Sequence, residues 1–240
     1  MLAIETKNLT KKFKDKIAVN AINLTINDGE IFALLGTNGA GKTTTIKMLS
    51  TLILPTSGEI KIEGLDIIKD RQKIKEILNV SPQETAIAQN LSVKENLEFM
   101  AGVYKISNKK QKIKELVEMF KLDEVLNQKA KTLSGGWQRK VSIAISLINE
   151  PRILFLDEPT LGLDVISRKE LWNAISKLKG KITIILTTHY MEEAENLSDR
   201  IGIMSKGNLI DIGTSEELIK KVNAKNFEDA FIKIATGGEL

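Results

Sequence analysis

The 240-residue sequence predicts an α/β fold, in which a parallel sheet carries an antiparallel β subdomain and an inserted all-helical subdomain. Three observations lead to this prediction. The apolar run 31–35 leads directly into the glycine-rich segment 36–43, which a helical pattern follows. Strand patterns lie on both sides of this segment, and helical periodicity alone occupies about residues 84–149. We expect residues 1–240 to form a single domain.

The N-terminal part is predicted to consist of strands around one helix. Apolar and polar residues alternate over 22–26, and Asp28-Gly29 is a strong turn signal before the buried strand 31–35. A helix is expected from about Lys42 to Leu52, because the proline and glycine residues that follow it would end it. Residues 59–63 alternate again and predict a half-exposed strand.

Helix signals dominate the middle of the chain. The capping box 92–95 begins one helix, the lysine-rich stretch 105–121 predicts another, and a third is expected from near Ser134. The α/β pattern then resumes, with strands expected at 153–156, 182–187, 201–204 and 209–212 and helices at 165–178 and 191–197. A last capping box, 214–217, begins a short C-terminal helix in the tail, about 215–240.

Composition limits the class of protein. The chain is 42% hydrophobic and 28% charged, as globular proteins are. It has no cysteine, which excludes disulfides and thiolate metal sites. No stretch approaches the ~20 apolar residues that span a bilayer, and the N-terminus lacks the regions of a signal peptide, so a cytoplasmic protein is expected. The net charge of +4 would suit nucleic acid, but the lysines of 105–121 have the spacing of a solvated helix face.

The glycine-rich segment 36–43 matches the G-x-x-x-x-G-K-[ST] phosphate loop completely. Its place between a buried strand and a helix allows backbone N–H groups to converge on phosphates. Lys42 would reach the β- and γ-phosphates, and the Thr43 hydroxyl would bind Mg²⁺. The alternative is a glycine-rich turn without a ligand. The residues expected to contact nucleotide here are Gly36, Thr37, Asn38, Gly39, Ala40, Gly41, Lys42, Thr43 and Thr44.

A second candidate site lies at the end of the apolar strand 153–156. Asp157 and Glu158 follow it directly, at the edge of the sheet where α/β proteins bind ligands. Because adjacent strand residues point in opposite directions, the two carboxylates are expected to have different roles. Asp157 would hold Mg²⁺, and Glu158 would polarise the attacking water. Taken alone, the pair could also be an acidic turn.

The segment 133–140, Leu-Ser-Gly-Gly-Trp-Gln-Arg-Lys, resembles the signature motif of ABC ATPases. The resemblance extends over nearly the whole chain. It includes Gln83 in the Q-loop, the D-loop 161–164, His189 as the switch histidine, and Phe13 at the position of the aromatic residue that stacks on adenine. It implies a P-loop NTPase core of the ABC ATPase type that hydrolyses ATP with Mg²⁺.

The resemblance also implies a dimer. Each nucleotide would lie between the phosphate loop of one subunit and the Ser134, Gly135 and Gly136 of the other. At the start of a helix these three residues offer a hydroxyl and free N–H groups to an anion. Two identical chains arranged head to tail would satisfy both surfaces. A serine-capped helix without a ligand is the alternative.

Three further residues receive roles from this context. His189, the only histidine, follows a predicted strand and could contact the γ-phosphate and position water beside Glu158. Gln83 is either a turn residue after Pro82 or a hinge that senses Mg²⁺ and the attacking water. Phe13 is either a core aromatic residue at a strand end or the adenine-stacking residue.

Within the family, the chain is most similar to the ATP-binding subunits of drug, antibiotic or ion exporters, and the segments 189–195 and 226–231 carry this similarity. Trp137, Lys140 and Phe13 depart from the commoner family residues, which leaves the subfamily open. The expected function is an ATP-hydrolysing subunit that powers export through a separate integral membrane subunit, from the inner face of the membrane. An importer's ATPase and a non-transport ABC ATPase acting on ribosomes or DNA are the alternatives, and no nucleic acid is expected.

The membrane subunit needs a docking surface. The apolar residues that follow Gln83 are expected, at least in part, to line a groove for one of its helices. They can equally be core of the helical insertion. These residues are Ile87, Leu91, Val93, Leu97 and Met100.

Overall fold

A six-stranded sheet and a four-stranded sheet form the β structure of the molecule. The structure is a computed structural model that describes residues 1–237; the end of the predicted tail, 238–240, lies outside the described residues. The strands are β1 (Leu2–Phe13), β2 (Lys16–Asn27), β3 (Ile31–Gly36), β4 (Ser57–Ile62), β5 (Leu65–Asp66), β6 (Leu78–Ser81), β7 (Ile153–Asp157), β8 (Thr183–Thr188), β9 (Arg200–Ser205) and β10 (Asn208–Gly213). The helices are α1 (Lys42–Leu49), α2 (Arg71–Ile77), α3 (Val93–Val103), α4 (Lys109–Phe120), α5 (Gly135–Ser146), α6 (Val165–Ser176), α7 (Met191–Leu197), α8 (Ser215–Lys221) and α9 (Phe227–Thr236).

The larger sheet has the strand order β10-β9-β3-β8-β7-β6, in which only the β10–β9 pair is antiparallel. Every residue of β3, β7 and β8 is buried. Their alternate side chains enter two different hydrophobic clusters, so that Phe32 and Leu34 face one cluster while Ala33 and Leu35 face the other. Burial on both faces explains why these strands are continuous apolar runs.

The smaller sheet has the order β2-β1-β4-β5 and is antiparallel throughout. Ile22, Leu24 and Ile26 are buried in the same cluster as Phe32, whereas the residues between them are exposed. This confirms the alternation predicted for 22–26. The strand predicted at 59–63 is β4, which begins two residues earlier and ends at Ile62.

Between Gln83 and Asn149 the chain forms three α-helices and two short 3-10 turns, Asp123–Val125 and Ala130–Thr132. The capping box at 92–95 is confirmed: the Glu95 N–H donates to Ser92 Oγ (3.2 Å), and the Ser92 N–H donates to the Glu95 carboxylate (2.7 Å). The lysine-rich helix is also confirmed, although it begins at Lys109. It buries an apolar face and leaves most of its lysines exposed.

Several elements differ from the sequence predictions. Helix α1 ends at Leu49 rather than Leu52, because Thr51 adopts a positive φ of 64° that a helix cannot continue. Helix α2 and strand β6 were not predicted, and the tail holds two helices, α8 and α9, rather than one. The docking groove expected after Gln83 is corrected in part, since Val93 and Leu97 are fully buried in the hydrophobic core.

Strands β3, β7 and β8 are neighbours in the sheet and parallel, so their carboxyl ends meet at one edge. The chain leaves β3 into the segment 36–43, β7 into Glu158 and β8 into His189. Strand register therefore brings three sequence-predicted groups together, although 114 residues separate Thr43 from Asp157 and 31 separate Glu158 from His189. This edge is where the candidate site lies.

Candidate active site

The phosphate loop borders a cavity of about 330 Å³. Ten of the residues that line it are sequence-predicted site residues, and the other two, Lys16 and Ala18, belong to β2. The lining residues are Phe13, Lys16, Ala18, Asn38, Gly39, Ala40, Gly41, Lys42, Thr43, Thr44, Gln83 and Glu158. Residues 38–44 of the loop thus share one cavity with the predicted catalytic residues Gln83 and Glu158, whereas Gly36 and Thr37 are not among the lining residues.

Two glycines of the loop are required by close backbone approach. A Cβ at Gly36 would lie 2.4 Å from the Met204 carbonyl oxygen, and a Cβ at Gly41 would lie 2.5 Å from the Ala18 carbonyl oxygen. Gly41 also has a φ of 104°, which L residues rarely adopt, and it immediately precedes α1. Side chains at either position would push the loop away from its strand neighbours.

Lys42 is only 5% exposed although it carries a charge. Its ammonium donates to the carbonyl oxygens of Gly36 (2.7 Å) and Thr37 (3.3 Å) and lies 3.3 Å from Glu158 Oε1. A buried cation of this kind needs such partners to offset its desolvation. The same bonds fold the loop back over its own lysine.

Asp157 ends β7 and is buried. Its Oδ1 accepts hydrogen bonds from the hydroxyls of Thr43 (3.1 Å) and Thr187 (2.5 Å). Thr43 comes from the phosphate loop and Thr187 from β8, so the carboxylate joins the phosphate loop to β8, the strand beside β7. Together Thr43 and Asp157 offer oxygen donors of the type that Mg²⁺ prefers.

Glu158 leaves the strand in a left-handed conformation, with a φ of 48°. Its backbone N–H donates to the Thr187 hydroxyl (3.0 Å), which holds this turn in place. The carboxylates of Asp157 and Glu158 have different partners, in agreement with the expectation that the two residues differ in role. Glu158 Oε2 lies 2.8 Å from His189 Nδ1, while Oε1 faces Lys42. The predicted catalytic residues Lys42, Glu158 and His189 thus form one contact chain.

Phe13 and Gln83 both line the cavity. Phe13 is the last residue of β1 and is 49% exposed, which is inconsistent with a core aromatic residue. The ammonium of Lys11 lies 5.2 Å from its ring centroid, in cation–π range. Gln83 follows β6 and is also exposed. Both side chains are accessible to a molecule in the cavity.

The signature residues lie apart from this cavity. Among residues 1–237, those that line the cavity do not include Ser134, Gly135 or Gly136. Ser134 occupies the N-cap position of α5 and is exposed, yet its side chain accepts no capping hydrogen bond from the described helix. The first-turn N–H groups and the hydroxyl consequently face outward without a partner from their own helix.

Arg139 is a residue that the sequence analysis quoted but gave no role. It is buried, and its guanidinium donates to four backbone carbonyls near the site. Burial lowers the pKa of Arg139 to about 10, against an opposing effect from Asp157. The sequence does carry a signal, because Arg139 and Lys140 directly precede the largely apolar stretch 141–148. The structure buries residues 139–146 throughout, where a charged residue requires internal partners.

Glu193 is a second buried group that the sequence did not reveal. It lies on α7, accepts a hydrogen bond from the Trp172 ring N–H (3.1 Å), and faces the hydroxyls of Thr188 and Thr160. Burial raises the pKa of this carboxyl, and the nearby Glu158 raises it further. Glu193 therefore lies close enough to Glu158 for the two carboxylates to interact.

The D-loop residue Asp164 begins α6. Its carboxylate accepts hydrogen bonds from the Ser167 hydroxyl (2.6 Å) and from the backbone N–H groups of Ile166 and Ser167. These bonds, with that of the Ser167 hydroxyl the strongest, hold the pKa of Asp164 below its usual range. The structure thus gives Asp164 a capping role.

A parallel sheet that ends in a phosphate loop and in two carboxylates with different partners defines a P-loop nucleotide hydrolase. A sequence profile of the ABC transporter family matches residues 19–161, more than half of the chain. The chain belongs to the ABC transporter family and is an ATP-binding ATPase of that family. None of the helices in residues 1–237 has both the length and the apolar character that crossing a bilayer requires.

Relatives and solved structures agree with this assignment. The phospholipid-transporting ATPase ABCA3 of Homo sapiens is 43% identical over 92% of this chain, which spans only 13% of ABCA3. The linearmycin resistance ATP-binding protein LnrL of Bacillus subtilis is 37% identical over 98% of this chain and 75% of LnrL. The dimeric post-hydrolysis structure of the ATP-binding cassette MJ0796 with ADP and Pi is 27% identical, with a TM-score of 0.78 over 88% of this chain and 98% of that chain.

Proposed function

We propose that this chain is the nucleotide-binding subunit of an ABC exporter and that ATP hydrolysis at its phosphate loop powers a separate membrane-spanning subunit. The observation that carries the proposal is the contact chain from Lys42 and Glu158, which line the cavity, to His189, which contacts Glu158. A cation, a carboxylate and an imidazole in this order suit the hydrolysis of a terminal phosphate. The similarity to a resistance protein favours export over import.

Lys42, Thr43 and Asp157 would bind the phosphates and the metal. The tight fit of Gly36 and Gly41 against neighbouring carbonyls leaves backbone N–H groups free to approach phosphate oxygens. Thr43 and Asp157, already joined by a hydrogen bond, would hold Mg²⁺, with Gln83 nearby on the wall. When bound, Mg²⁺ supplies charge neutralisation for the phosphates.

Glu158 would act as the general base. Its carboxylate is the counter-ion of Lys42 in the structure, at 3.3 Å. A phosphate that contacts Lys42 would take over this charge, which leaves Glu158 able to accept a proton from water. His189, 2.8 Å away, would orient the carboxylate and contact the terminal phosphate. Phe13, which is exposed on the cavity wall, would stack on the adenine.

Ser134, Gly135 and Gly136 would contact the ATP bound to a second chain. The exposed hydroxyl and unpaired N–H groups at the start of α5 form an anion-binding surface that lies away from the chain's own cavity. A two-fold dimer of identical chains would place this surface over the partner's phosphate loop. The dimeric arrangement of the similar MJ0796 cassette supports this proposal.

The membrane subunit would dock on exposed side chains of α3 rather than on Val93 and Leu97, which belong to the same helix but are buried in the core. Phe99 and Val103 are four residues apart on this helix and are 61% and 56% exposed. Such a pair suits a short apolar helix of the partner. The chain would therefore lie peripherally on the inner face of the membrane. ABCA3 and LnrL suggest an amphipathic cargo, a lipid or an antibiotic.

The catalytic proposal is tested by comparing two variants. Glu158→Gln should lower turnover by about 10²–10⁴, because the general base is lost, while ATP binding persists. Lys42→Ala should instead lose ATP affinity. Steady-state ATPase rates and equilibrium nucleotide binding distinguish the two effects. Hydrolysis by Glu158→Gln at a near-normal rate would remove Glu158 from this role.

The docking proposal is tested by cross-linking in native membranes. The sequence has no cysteine, so Phe99→Cys and Val103→Cys each provide a single reactive site. Both should cross-link to an integral membrane protein, whereas Lys109→Cys on the lysine-rich helix should not. Cross-linking from Lys109→Cys alone would place the docking surface elsewhere.

A further inference from the structure

Arg139 connects two loops that carry the proposed catalytic residues. Its Nε donates to the Pro159 carbonyl (2.9 Å) and its Nη2 to the Asp157 carbonyl (2.8 Å), at the exit of β7. Its Nη1 donates to the carbonyls of Pro82 and Gln83 (3.4 Å to Gln83), at the exit of β6. One side chain therefore holds the Q-loop and the carboxylate segment at a fixed separation.

The chemistry of this contact is specific to arginine. All four acceptors are backbone carbonyls, so the guanidinium fixes the path of the main chain rather than the position of one side chain. Only a planar fork with several N–H donors can reach two loops at once. A lysine ammonium would reach one loop or the other. Because Arg139 is 4% exposed, water would not replace these bonds easily.

Arg139 lies on the same helix as the signature residues. Helix α5 begins immediately after Ser134, five residues before Arg139, so the orientation of its exposed N-terminus depends on how its second turn is held. A second contact supports the same turn: Lys140 bonds to Glu170 of α6 at 2.6 Å and lies 4.3 Å from the Trp137 ring centroid. The start of α5 is thereby tied to the core from two sides.

We propose that Arg139 is a positioning residue that couples the signature segment of each chain to the catalytic carboxylates of the same chain. This inference rests on the proposed function, in which Ser134 contacts the partner's ATP while Glu158 acts on the chain's own ATP. In such a dimer the two ATP sites share no residue, so coupling between them must pass through each chain. Arg139 is a direct connection between the two surfaces.

The test compares Arg139→Met and Arg139→Lys with the wild-type chain. We expect ATP affinity to stay within about twofold, because neither variant alters the phosphate loop, and kcat to fall about 10- to 100-fold through misplacement of the carboxylates. The Hill coefficient for ATP should fall from near 2, the limit for two sites, towards 1. Arg71→Met is the matched control, since Arg71 also donates to a backbone carbonyl, that of Thr51, but outside the site.

The outcomes separate the two proposals. Wild-type kcat and Hill coefficient in Arg139→Lys, with a cooperative wild-type chain, would overturn the role of Arg139 alone. A wild-type chain without cooperativity, whose specific rate is independent of protein concentration, would remove the proposed dimer and this inference with it. If Arg139→Met does not fold by circular dichroism, Arg139→Lys decides, because it keeps the charge and the length. A loss of ATP affinity equal to the loss of kcat would indicate a general structural role and also overturn the proposal.

Discussion

The phosphate-loop region and the signature segment differ in how far the chain itself satisfies them. Lys42, Thr43, Asp157 and Glu158 all contact polar partners within the chain. In the described residues Ser134 caps nothing, although it stands at the N-cap position of α5. Both regions have groups that can bind an anion, yet only the first has these side chains bonded to polar partners within residues 1–237.

The difference teaches that partner contacts can be read from unfinished local structure. A serine at an N-cap normally bonds to its own helix and stabilises it by about 0.5–2 kcal/mol. A helix that leaves this stabilisation unused has its hydroxyl and N–H groups available for another molecule. The polar groups of the phosphate-loop region find partners within the chain, and we expect those of the signature segment to find theirs on a second chain.

The largest expected effect comes from placing a bulky cation in the signature segment, at Ser134. Ser134→Arg should lower turnover by about 100-fold or more, as the loss of preorganised anion contacts does, without weakening ATP binding to the isolated chain. Lys42→Ala, in the phosphate-loop region, should instead weaken ATP binding to the isolated chain. ATPase assays and nucleotide titrations of both variants measure this contrast.

Mixing the two variants sharpens the comparison. In a heterodimer of Lys42→Ala and Ser134→Arg chains, both lesions fall on one nucleotide, and the other site is intact. Half of the dimers in an equal mixture are heterodimers with one intact site of two, so activity should recover to at most about a quarter of the wild-type value, and to less the more strongly the two sites are coupled. Recovery no greater than the mean of the separate variants would argue against the shared site.

A smaller effect is expected at Phe13, the exposed aromatic residue on the cavity wall. Phe13→Ala should raise KM for ATP about 10-fold and leave kcat unchanged, because base stacking is worth about 1–3 kcal/mol and contributes equally before and during reaction. Phe13→Tyr keeps the ring and should behave as the wild-type chain. An unchanged KM in Phe13→Ala would show that the exposed ring does not contact the base.

The smallest effect concerns Glu193, the buried carboxyl group near Glu158. Burial raises the pKa of Glu193 above its ordinary value of 4.5, so the folded state prefers the neutral carboxyl and loses stability as pH rises through the raised pKa. Glu193→Gln is neutral throughout. The variant should match the wild-type chain near pH 4.5 and become relatively more stable towards pH 8 in urea unfolding. A difference that does not change with pH would contradict this assignment.

Local patterns predicted the parts of the fold that local physics determines. The strand, loop and helix around 36–43 follow from adjacent residues, and so does the alternation of 22–26. The Ser92 and Thr214 capping boxes likewise depend on residues three positions apart, and both are present. The site residues on three strands were predicted for the same reason, because each lies at the end of its own apolar run.

Non-local contacts explain what was missed. Strand β6 pairs Leu78 with Ile153, far along the chain, and its own four residues carry no clear alternation. Helix α2 buries only Ile74, so it has no apolar stripe that periodicity could detect. The bonds of Arg139 join three segments that meet only in the folded chain. Sequence patterns report what a residue does within its own element, not which loops it holds together.

The folded-back phosphate loop has a thermodynamic consequence for nucleotide capture. Because Lys42 bonds to the carbonyls of Gly36 and Thr37, residues of the loop itself hold its shape. ATP then exchanges partners with an ordered main chain, and little of its binding energy is spent on immobilising the peptide. Capture by a single chain should accordingly have a small heat-capacity change, since Phe13 is the one large apolar side chain among the residues that line the described cavity. Heat capacity would instead change when two chains close, which makes calorimetry sensitive to assembly rather than to occupancy.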